Sequence, residues 1–258
     1  MKQIVHSINN WLKLRVIEIQ EFVIFMANVA RGLYRKPRYW HDFFDHMDIM
    51  GVGSIPIVLI AGGCIGALIT LETLAELRTF GANVLLGKLT GLSIIRGTGP
   101  VFTAMIVSTR VCSSAAAELG AMQVSQQIDA LVTMGVDPFR KLITPRIAAG
   151  TLMFPALATV NGIAAILTGA LVAQLSGTMS LPFFLNQSLS GITPGDVLWG
   201  LTKSTVFGFI VISTACYYGL RVQGGTAGVR AAASQAAVAG VLLILISNSI
   251  MTTIVHAF

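Results

Sequence analysis

Residues of opposite charge lie in and beside one long apolar stretch of the sequence. Arg110 interrupts the otherwise uncharged run 97–117, and Ser114 and Glu118 follow it at intervals of four residues. Because positions i and i+4 share one face of an α-helix, we predict a polar ladder with an ion pair between Arg110 and Glu118. A buried Arg costs roughly 2.5 to 3.5 kcal/mol on insertion scales. Such a pair therefore either fixes helix packing or contributes to a transport path.

No motif in the sequence assembles a catalytic or nucleotide-binding site. The segment 81–88 is the nearest to a phosphate-binding loop, but its first glycine is one position too early and Leu89 stands where Ser or Thr would hold magnesium. Two His and two Asp lie close together in 41–46, without a spacing typical of metal ligands. We therefore expect no catalytic residue, no metal ion and no cofactor bound by this chain.

The composition excludes a soluble enzyme as the class of protein. Of 258 residues, 54% are hydrophobic and 11% are charged, whereas soluble proteins carry about 25% charged residues. The three cysteines, Cys64, Cys112 and Cys216, lie in apolar runs and imply no disulfide framework. We therefore use the excess of Lys and Arg, a formal net charge of +6, to infer which side of the bilayer each loop occupies. No nucleic-acid partner is expected.

Five stretches are long and apolar enough to cross a bilayer, which takes roughly 20 residues. Three of them are uncharged, and the other two contain only Arg110 or Lys203 as a charge. In chain order they are 49–71, 97–117, 147–177, 197–220 and 231–258. The sequence therefore predicts an all-α integral membrane protein with a five-span domain over 49–258.

The first 48 residues have another pattern, in which apolar residues at helical spacing from Ile4 to Met26 alternate with charges. This pattern predicts an amphipathic helix in the membrane interface. The alternative is a helix packed on the cytoplasmic face of its own protein. Because the charges continue into the apolar part, we expect no cleaved signal peptide.

The distribution of Lys and Arg predicts how the spans are oriented. With the N-terminus inside, twelve of these residues lie in cytoplasmic segments and three lie outside. We therefore predict a cytoplasmic N-terminus and a C-terminus on the far side of the membrane.

The loop between the second and third spans, about residues 122–140, is polar and has the pattern of a short amphipathic helix. Gly135 is predicted to end this helix, and Asp137-Pro138 to begin the next turn. An ordered helix in a cytoplasmic loop indicates a docking site for a partner. The alternative is a surface helix that only packs on the bundle.

This loop also carries a resemblance to a known family. Arg110-Val111, the runs 116–122, 127–131 and 134–138, and Pro145-Arg146 are similar in order and spacing to the signature of MlaE-family permeases. Further similar positions are Gly219, Gly224-Gly225, Gly228-Val229, Lys203-Ser204 and Phe207-Gly208. The resemblance covers the chain from about residue 45 onward.

The resemblance implies an N-terminal amphipathic helix, five spans, and the membrane subunit of an ABC transporter that moves lipids, commonly phospholipids, between the inner membrane and the outer envelope. It implies a homodimer with a lipid cavity between the copies, a cytoplasmic ATPase that binds ATP and magnesium, and a periplasmic MCE-domain protein. The loop helix becomes a coupling helix that contacts the ATPase. The residues that match this element are Gln127, Asp129, Leu131, Met134, Gly135, Asp137 and Pro138.

Arg96 is the main lipid-binding candidate, since a guanidinium forms charge-assisted hydrogen bonds with phosphate. Leu71 and Glu72 are further lipid-binding candidates. Gly97 stands where many members of the family carry Glu, so the carboxylate next to Arg96 is missing. Gln126 likewise stands where a Glu is usual in the coupling helix. These departures indicate a divergent branch of the family.

The sequence leaves two other functions open. An ion-coupled secondary transporter would use Arg110, Glu118 and Lys203 as a charge relay, but such folds usually contain internal repeats, and the two halves of this chain show no convincing similarity. A passive membrane scaffold would carry no lipid and would tolerate changes in the loop helix.

Overall fold

The structure, a computed structural model, describes residues 20–25, 27 and 40–257, so most of the predicted N-terminal helix lies outside the described residues. Five helical stretches in this part are long and apolar enough to cross a membrane. They are Trp40–Thr79, Asn83–Val124, Phe139–Leu175, Pro194–Leu220 and Gly225–Val255. Each predicted span coincides with one of these stretches, which confirms the all-α multi-pass membrane fold.

The helices between residues 40 and 257 are labelled in chain order. They are α1 Trp40–Met50, α2 Ile55–Thr79, α3 Leu86–Leu92, α4 Gly99–Val124, α5 Gln127–Thr133, α6 Thr144–Leu175, α7 Leu181–Gly191, α8 Pro194–Leu220 and α9 Gly225–Ala257. Short 3-10 turns at Val52–Ser54 and Asn83–Leu85, and π-helical turns at Ser93–Thr98 and Phe139–Ile143, join some of them.

Proline begins several of these helices. A proline occupies one of the first two positions of α2, α4, α6, α7 and α8, at Pro56, Pro100, Pro145, Pro182 and Pro194. The fixed φ of proline suits the first turn, and its missing N–H has no helical partner there in any case. The prolines therefore set where the apolar stretches become regular helix.

Small residues let α2 and α6 approach closely. Gly62 lies against Asn161, and Gly66 lies against the backbone of Ala165. One turn further, Gly169 lies against Thr70. Because both series advance by four residues in the same direction, the two helices pack in parallel along a seam of small residues. Such seams are a main source of helix contact in membranes, where hydrophobic burial between helices contributes little.

The bundle has two distinct ends. At one end α3 packs on α7, where Ser188 Oγ donates to the Gly87 carbonyl at 2.9 Å and Leu86 and Phe184 form a small core. This is called the α7 end. The opposite end, called the α5 end, holds α5 and the loop between α8 and α9, whose Val222 lies against Gly120 of α4. The main core between the ends is formed by α4, α6, α8 and α9.

The described part of the N-terminal helix, residues 20–25, packs on the α5 end. Phe22 and Phe25 contact the ring of Tyr217 with centroid distances of 5.2 and 5.8 Å, and Phe25 also contacts Phe139 at 5.8 Å. Glu21 pairs with Arg221 just beyond α8. This part of the helix therefore packs on its own protein.

Gly66→Ala is expected to destabilise the protein by roughly 1 to 3 kcal/mol, the usual cost of overpacking. A Cβ at position 66 would overlap the backbone of Ala165, which cannot move aside without displacing α6. Gly63→Ala in the same helix is the matched control, because its Cβ would meet only a methyl group of Thr168 at 3.3 Å. The melting temperatures of both variants are measured in detergent by heating samples and monitoring the folded fraction by size-exclusion chromatography. Equal melting temperatures for the two would contradict the packing described here.

Candidate functional site

The loop helix is shorter than the sequence predicted. Its boundary with α4 is set by Gln126, a non-glycine residue with a left-handed backbone at φ 59°. A left-handed residue interrupts a right-handed helix, so the segment 122–140 is not one helix. It consists of the last turn of α4, the two-turn helix α5, and the start of the π-helical turn before α6.

The end of α5 confirms the predicted stop at Gly135. This residue has φ 76° and donates its N–H to the Val132 carbonyl at 3.0 Å, while Val136 N–H reaches the Leu131 carbonyl at 2.9 Å. Together these bonds form a Schellman motif. Asp137 then accepts a bond of 3.0 Å from the backbone of Phe139, so the predicted turn at Asp137-Pro138 is also present.

One side of α5 packs on the bundle and the other is open. Ile128 is buried and Leu131 is half-buried against the core, whereas Gln127 and Asp129 are exposed. Exposed apolar side chains lie beside these polar residues, including Val132 at 57% and Met134 at 68% exposure. The residues Gln127, Asp129, Val132 and Met134 are called the α5 surface. The sequence analysis did not select Val132, although an apolar residue in a polar loop could have indicated a contact surface.

The ion pair at the α5 end differs from the predicted one. Glu118 pairs with Arg146 of α6 at 2.5 Å, and Arg110 donates to Ser54 Oγ at 2.7 Å. The predicted Arg110–Glu118 pair is therefore wrong. Eight residues along a helix span about 12 Å, too far for direct contact along one face. The first turn of α6, in contrast, brings Arg146 beside Glu118.

Arg146 is the charged side chain on which this end depends. It is 2% exposed, and its Nε and Nη1 atoms have no hydrogen-bond partner among the described residues. Glu118 is half-exposed and supplies its carboxylate from α4. The pair therefore joins α4, which leads into α5, to α6, which follows the loop.

Two further ion pairs surround the loop. Lys141 Nζ lies 2.7 Å from Asp42 of α1, and Arg140 lies 3.2 Å from Asp137. The structure also brings His41 and Asp45 together at 2.8 Å, next to Asp42. This His-Asp-Asp cluster is largely exposed, and the Lys141 ammonium already supplies a positive charge to Asp42. The Asp42–Lys141 ion pair therefore joins α1 to the π-helical turn before α6, whereas the His41–Asp45 pair lies within α1.

A cavity of about 450 Å³ lies towards the α7 end, between the π-helical turn Ser93–Thr98, α4, α8 and α9. Its polar side chains include Arg96, Lys203, Asn248 and Thr252. The rest of its wall is largely apolar or aromatic, with Leu92, Val101, Phe102, Trp199 and Val255 among the lining residues. The cavity thus combines two cations with a wall that is polar in part and apolar in part.

Arg96 is positioned by a turn and by a capped helix. It lies in the π-helical turn and faces Asp196 of α8, with 3.7 Å between Nη1 and Oδ1. Asp196 is held in turn by a capping box with Thr193, which donates to it from the backbone at 3.0 Å and from the hydroxyl at 2.7 Å. The Arg96 side chain is 39% exposed and lines the cavity.

Lys203 is the buried cation of the cavity, with 3% of its surface exposed. Its ammonium donates to Asn248 Oδ1 at 3.1 Å and to Thr252 Oγ1 at 2.9 Å, and it lies 5.8 Å from the ring of Trp199. Sequence reasoning missed Asn248 and Thr252. Their i,i+4 spacing in the apolar run of the fifth span was a signal for one polar helix face.

The structure separates the other lipid-binding candidates from this cavity. Leu71 and Glu72 are exposed on α2 and do not line it. Gly97 does line it, and a Cβ added at this position would meet no atom within 4 Å. Position 97 therefore opens onto free space beside Arg96.

These features define a multi-pass membrane permease, with a cavity at one end of a helical bundle and an ordered loop helix at the other. The family described as Permease MlaE matches residues 43–254, and the chain belongs to this family. A probable ABC transporter permease protein of Rickettsia prowazekii is 32% identical over 90% of this chain and 89% of its own length. A probable ABC transporter permease protein of Synechocystis is 33% identical, with 94% and 91% covered. The intermembrane phospholipid transport system permease protein MlaE of Haemophilus influenzae is 31% identical, with 90% and 89% covered.

Glu118→Gln is expected to destabilise the protein by roughly 2 kcal/mol. Breaking a fully buried pair costs roughly 3 to 5 kcal/mol because a buried charge loses its partner, and the partial exposure of Glu118 lowers that figure. Glu76→Gln on the exposed end of α2 is the control. In Arg146→Met/Glu118→Gln, where no charge is left unpaired, most of the loss should be recovered. Thermal unfolding in detergent tests this, and a stability of Glu118→Gln equal to that of the wild type would refute it.

Proposed function

We propose that this chain is the permease subunit of an ABC transporter that moves phospholipids between the inner membrane and the outer envelope. The observation that carries the proposal is a cavity that places Arg96 and Lys203 beside the apolar and aromatic side chains of Leu92, Val101, Phe102, Trp199 and Val255. A phospholipid has the matching chemistry, with an anionic phosphate beside acyl chains. Membership of the family, and the phospholipid transport named for the Haemophilus influenzae relative, support the same function.

A second copy of the chain completes the lipid site in this proposal. Pockets of roughly 300 to 1,000 Å³ enclose drug-sized ligands, so 450 Å³ holds a headgroup and only part of the acyl chains. The remaining acyl length needs an apolar wall, which a homodimer supplies. Arg96 binds the lipid phosphate by charge-assisted hydrogen bonds.

The α5 surface is the contact with the cytoplasmic ATPase in this proposal. ATP and magnesium are bound by the ATPase, and this chain has no catalytic residue of its own. The α5 end then lies in the cytoplasm with the N-terminus, as the charge distribution predicts. The α7 end lies in the periplasm, where an MCE-domain protein receives or delivers the lipid.

Helix α4 connects these two sites. It has 26 residues and so extends about 39 Å. Its last residues lead into α5, and its first residues follow directly on the π-helical turn that carries Arg96. The ATPase shifts the permease only if it binds its two conformations unequally. Movement of α5 during ATP-driven closure then displaces α4 and changes the width of the cavity.

This arrangement favours the ABC transporter over an ion-coupled transporter. The charge relay of an ion-coupled transporter would need Arg110, Glu118 and Lys203 to lie near one another. Arg110 and Glu118 contact Ser54 and Arg146 in the half towards the α5 end, whereas Lys203 lies in the cavity towards the α7 end.

Met134→Asp is expected to lower ATPase co-purification with the tagged chain at least fivefold. The side chain is 68% exposed on the α5 surface, so a charge there weakens an apolar contact without entering the core. Phe80→Asp is the matched control, because Phe80 is 79% exposed and directly follows the C-terminal end of α2, far from the α5 surface. Quantitative mass spectrometry of proteins retained in mild detergent measures the effect. An absence of any ATPase with the wild-type chain would overturn the proposed function.

Arg96→Ala is expected to lower the phospholipid recovered with the purified complex about fivefold and to leave its protein subunits associated. The change removes the partly exposed cation of the cavity and leaves Lys203 in place. Arg78→Ala is the control, because Arg78 is exposed near the same end and outside the cavity lining. Lipid mass spectrometry gives the readout. Unchanged lipid recovery in Arg96→Ala would exclude this residue as a phosphate ligand.

A further inference from the structure

We infer that the cavity selects lipids whose headgroup carries a net negative charge, and that Lys203 is the residue that determines this selectivity. The inference rests on the proposed function and goes beyond it, because a phosphate ligand alone does not distinguish anionic from zwitterionic phospholipids. The argument depends on how Lys203 is held and on which charges surround it.

Lys203 is fixed in place and still has a donor to offer. A lysine ammonium has three N–H groups and no acceptor. Two of them are used by Asn248 Oδ1 at 3.1 Å and Thr252 Oγ1 at 2.9 Å, both from α9. Among the described residues Lys203 has no third hydrogen-bond partner, and it lines the cavity, so we assign its third N–H to a ligand. The side chain is also almost fully buried, so an anion bound there is poorly screened by water.

The charge of Lys203 is not neutralised within the described part of the chain. Both of its hydrogen-bond partners are neutral oxygen atoms. Asp196 is the carboxylate nearby, but one of its oxygens accepts two bonds from Thr193 and the other faces Arg96 at 3.7 Å. Asp196 therefore balances Arg96, and the cavity keeps an excess of one positive charge.

Gly97 leaves this imbalance uncorrected. It lines the cavity beside Arg96 and has open space where a side chain would project. An acidic residue at this position would bring the cavity close to neutral. With glycine there, the compensating negative charge must come from the ligand.

This excess charge separates two kinds of phospholipid headgroup. Phosphatidylglycerol and phosphatidylethanolamine both offer a phosphodiester to Arg96 and Lys203. The ethanolamine headgroup also brings an ammonium group within a few ångströms of these two cations, with no free carboxylate among the described residues lining the cavity to receive it. Repulsion between like charges disfavours that headgroup. The glycerol headgroup carries no such charge, so the anionic lipid binds more tightly.

The test uses the full chain reconstituted into vesicles of equimolar phosphatidylglycerol and phosphatidylethanolamine with identical acyl chains. After mild extraction and washing, mass spectrometry gives the ratio of the two lipids retained. We expect phosphatidylglycerol to be enriched about tenfold over phosphatidylethanolamine, and Lys203→Met to reduce this enrichment to less than twofold. Lys88→Met, which removes an exposed cation outside the cavity, is expected to keep the wild-type ratio.

A second pair of variants tests the charge balance without touching Lys203. Gly97→Glu adds a carboxylate to the open space in the cavity and is expected to lower the enrichment at least threefold. Gly97→Gln has nearly the same size without the charge, so it should retain the wild-type ratio. Equal effects of Glu and Gln would show that space, and not charge, sets the ratio and would overturn the inference.

The remaining outcomes separate this inference from the proposed function. Lipid bound by the wild type in a ratio near one, or unchanged enrichment in Lys203→Met, refutes charge selection by Lys203 and leaves lipid transport standing. Failure of the wild-type chain to retain either lipid refutes the proposed function, and this inference with it.

Discussion

A charge inside an apolar helical bundle needs a polar partner, and this requirement determines how the spans of this protein are arranged. Arg146 and Lys203 are buried, and each finds that partner on another element, as does the more exposed Arg110. Arg110 ties α4 to the turn before α2, Arg146 ties α6 to α4, and Lys203 ties α8 to α9. Because leaving Arg146 or Lys203 without a partner would cost several kcal/mol, their contacts specify which helices are neighbours more strictly than apolar side chains do.

Close packing of small residues determines those helix contacts that the polar side chains do not. Lipid chains are as apolar as leucine, so helices in a membrane gain little from burying apolar surface against one another. The seam of α2 and α6 instead relies on glycines, of which Gly66 lies on the backbone of Ala165. α2 thus packs closely on one side and leaves large apolar residues such as Ile60 and Leu68 exposed on the other, as a lipid-facing helix requires.

The sequence predicted those features that depend on neighbouring residues. The number of spans follows from the length of the apolar runs, and the end of α5 follows from a glycine that tolerates a positive φ. The partners of the charges could not be predicted in this way. Arg146 reaches Glu118 across 28 positions and Lys203 reaches Asn248 across 45, so both contacts depend on helix neighbours that periodicity does not reveal. The predicted Arg110–Glu118 pair was wrong because the two residues lie about 12 Å apart along α4.

Arg146 and Lys203 are two buried cations whose partners differ in charge. Both are buried, yet Arg146 is neutralised by a carboxylate at 2.5 Å, so the pair needs no further ligand to balance its charge. Among the described residues Lys203 donates hydrogen bonds to an amide oxygen and a hydroxyl oxygen, and it borders an open cavity. Neutral acceptors orient an ammonium group without cancelling its charge. A buried cation that is positioned but left unbalanced destabilises the empty bundle, and the binding of an anion there relieves that cost.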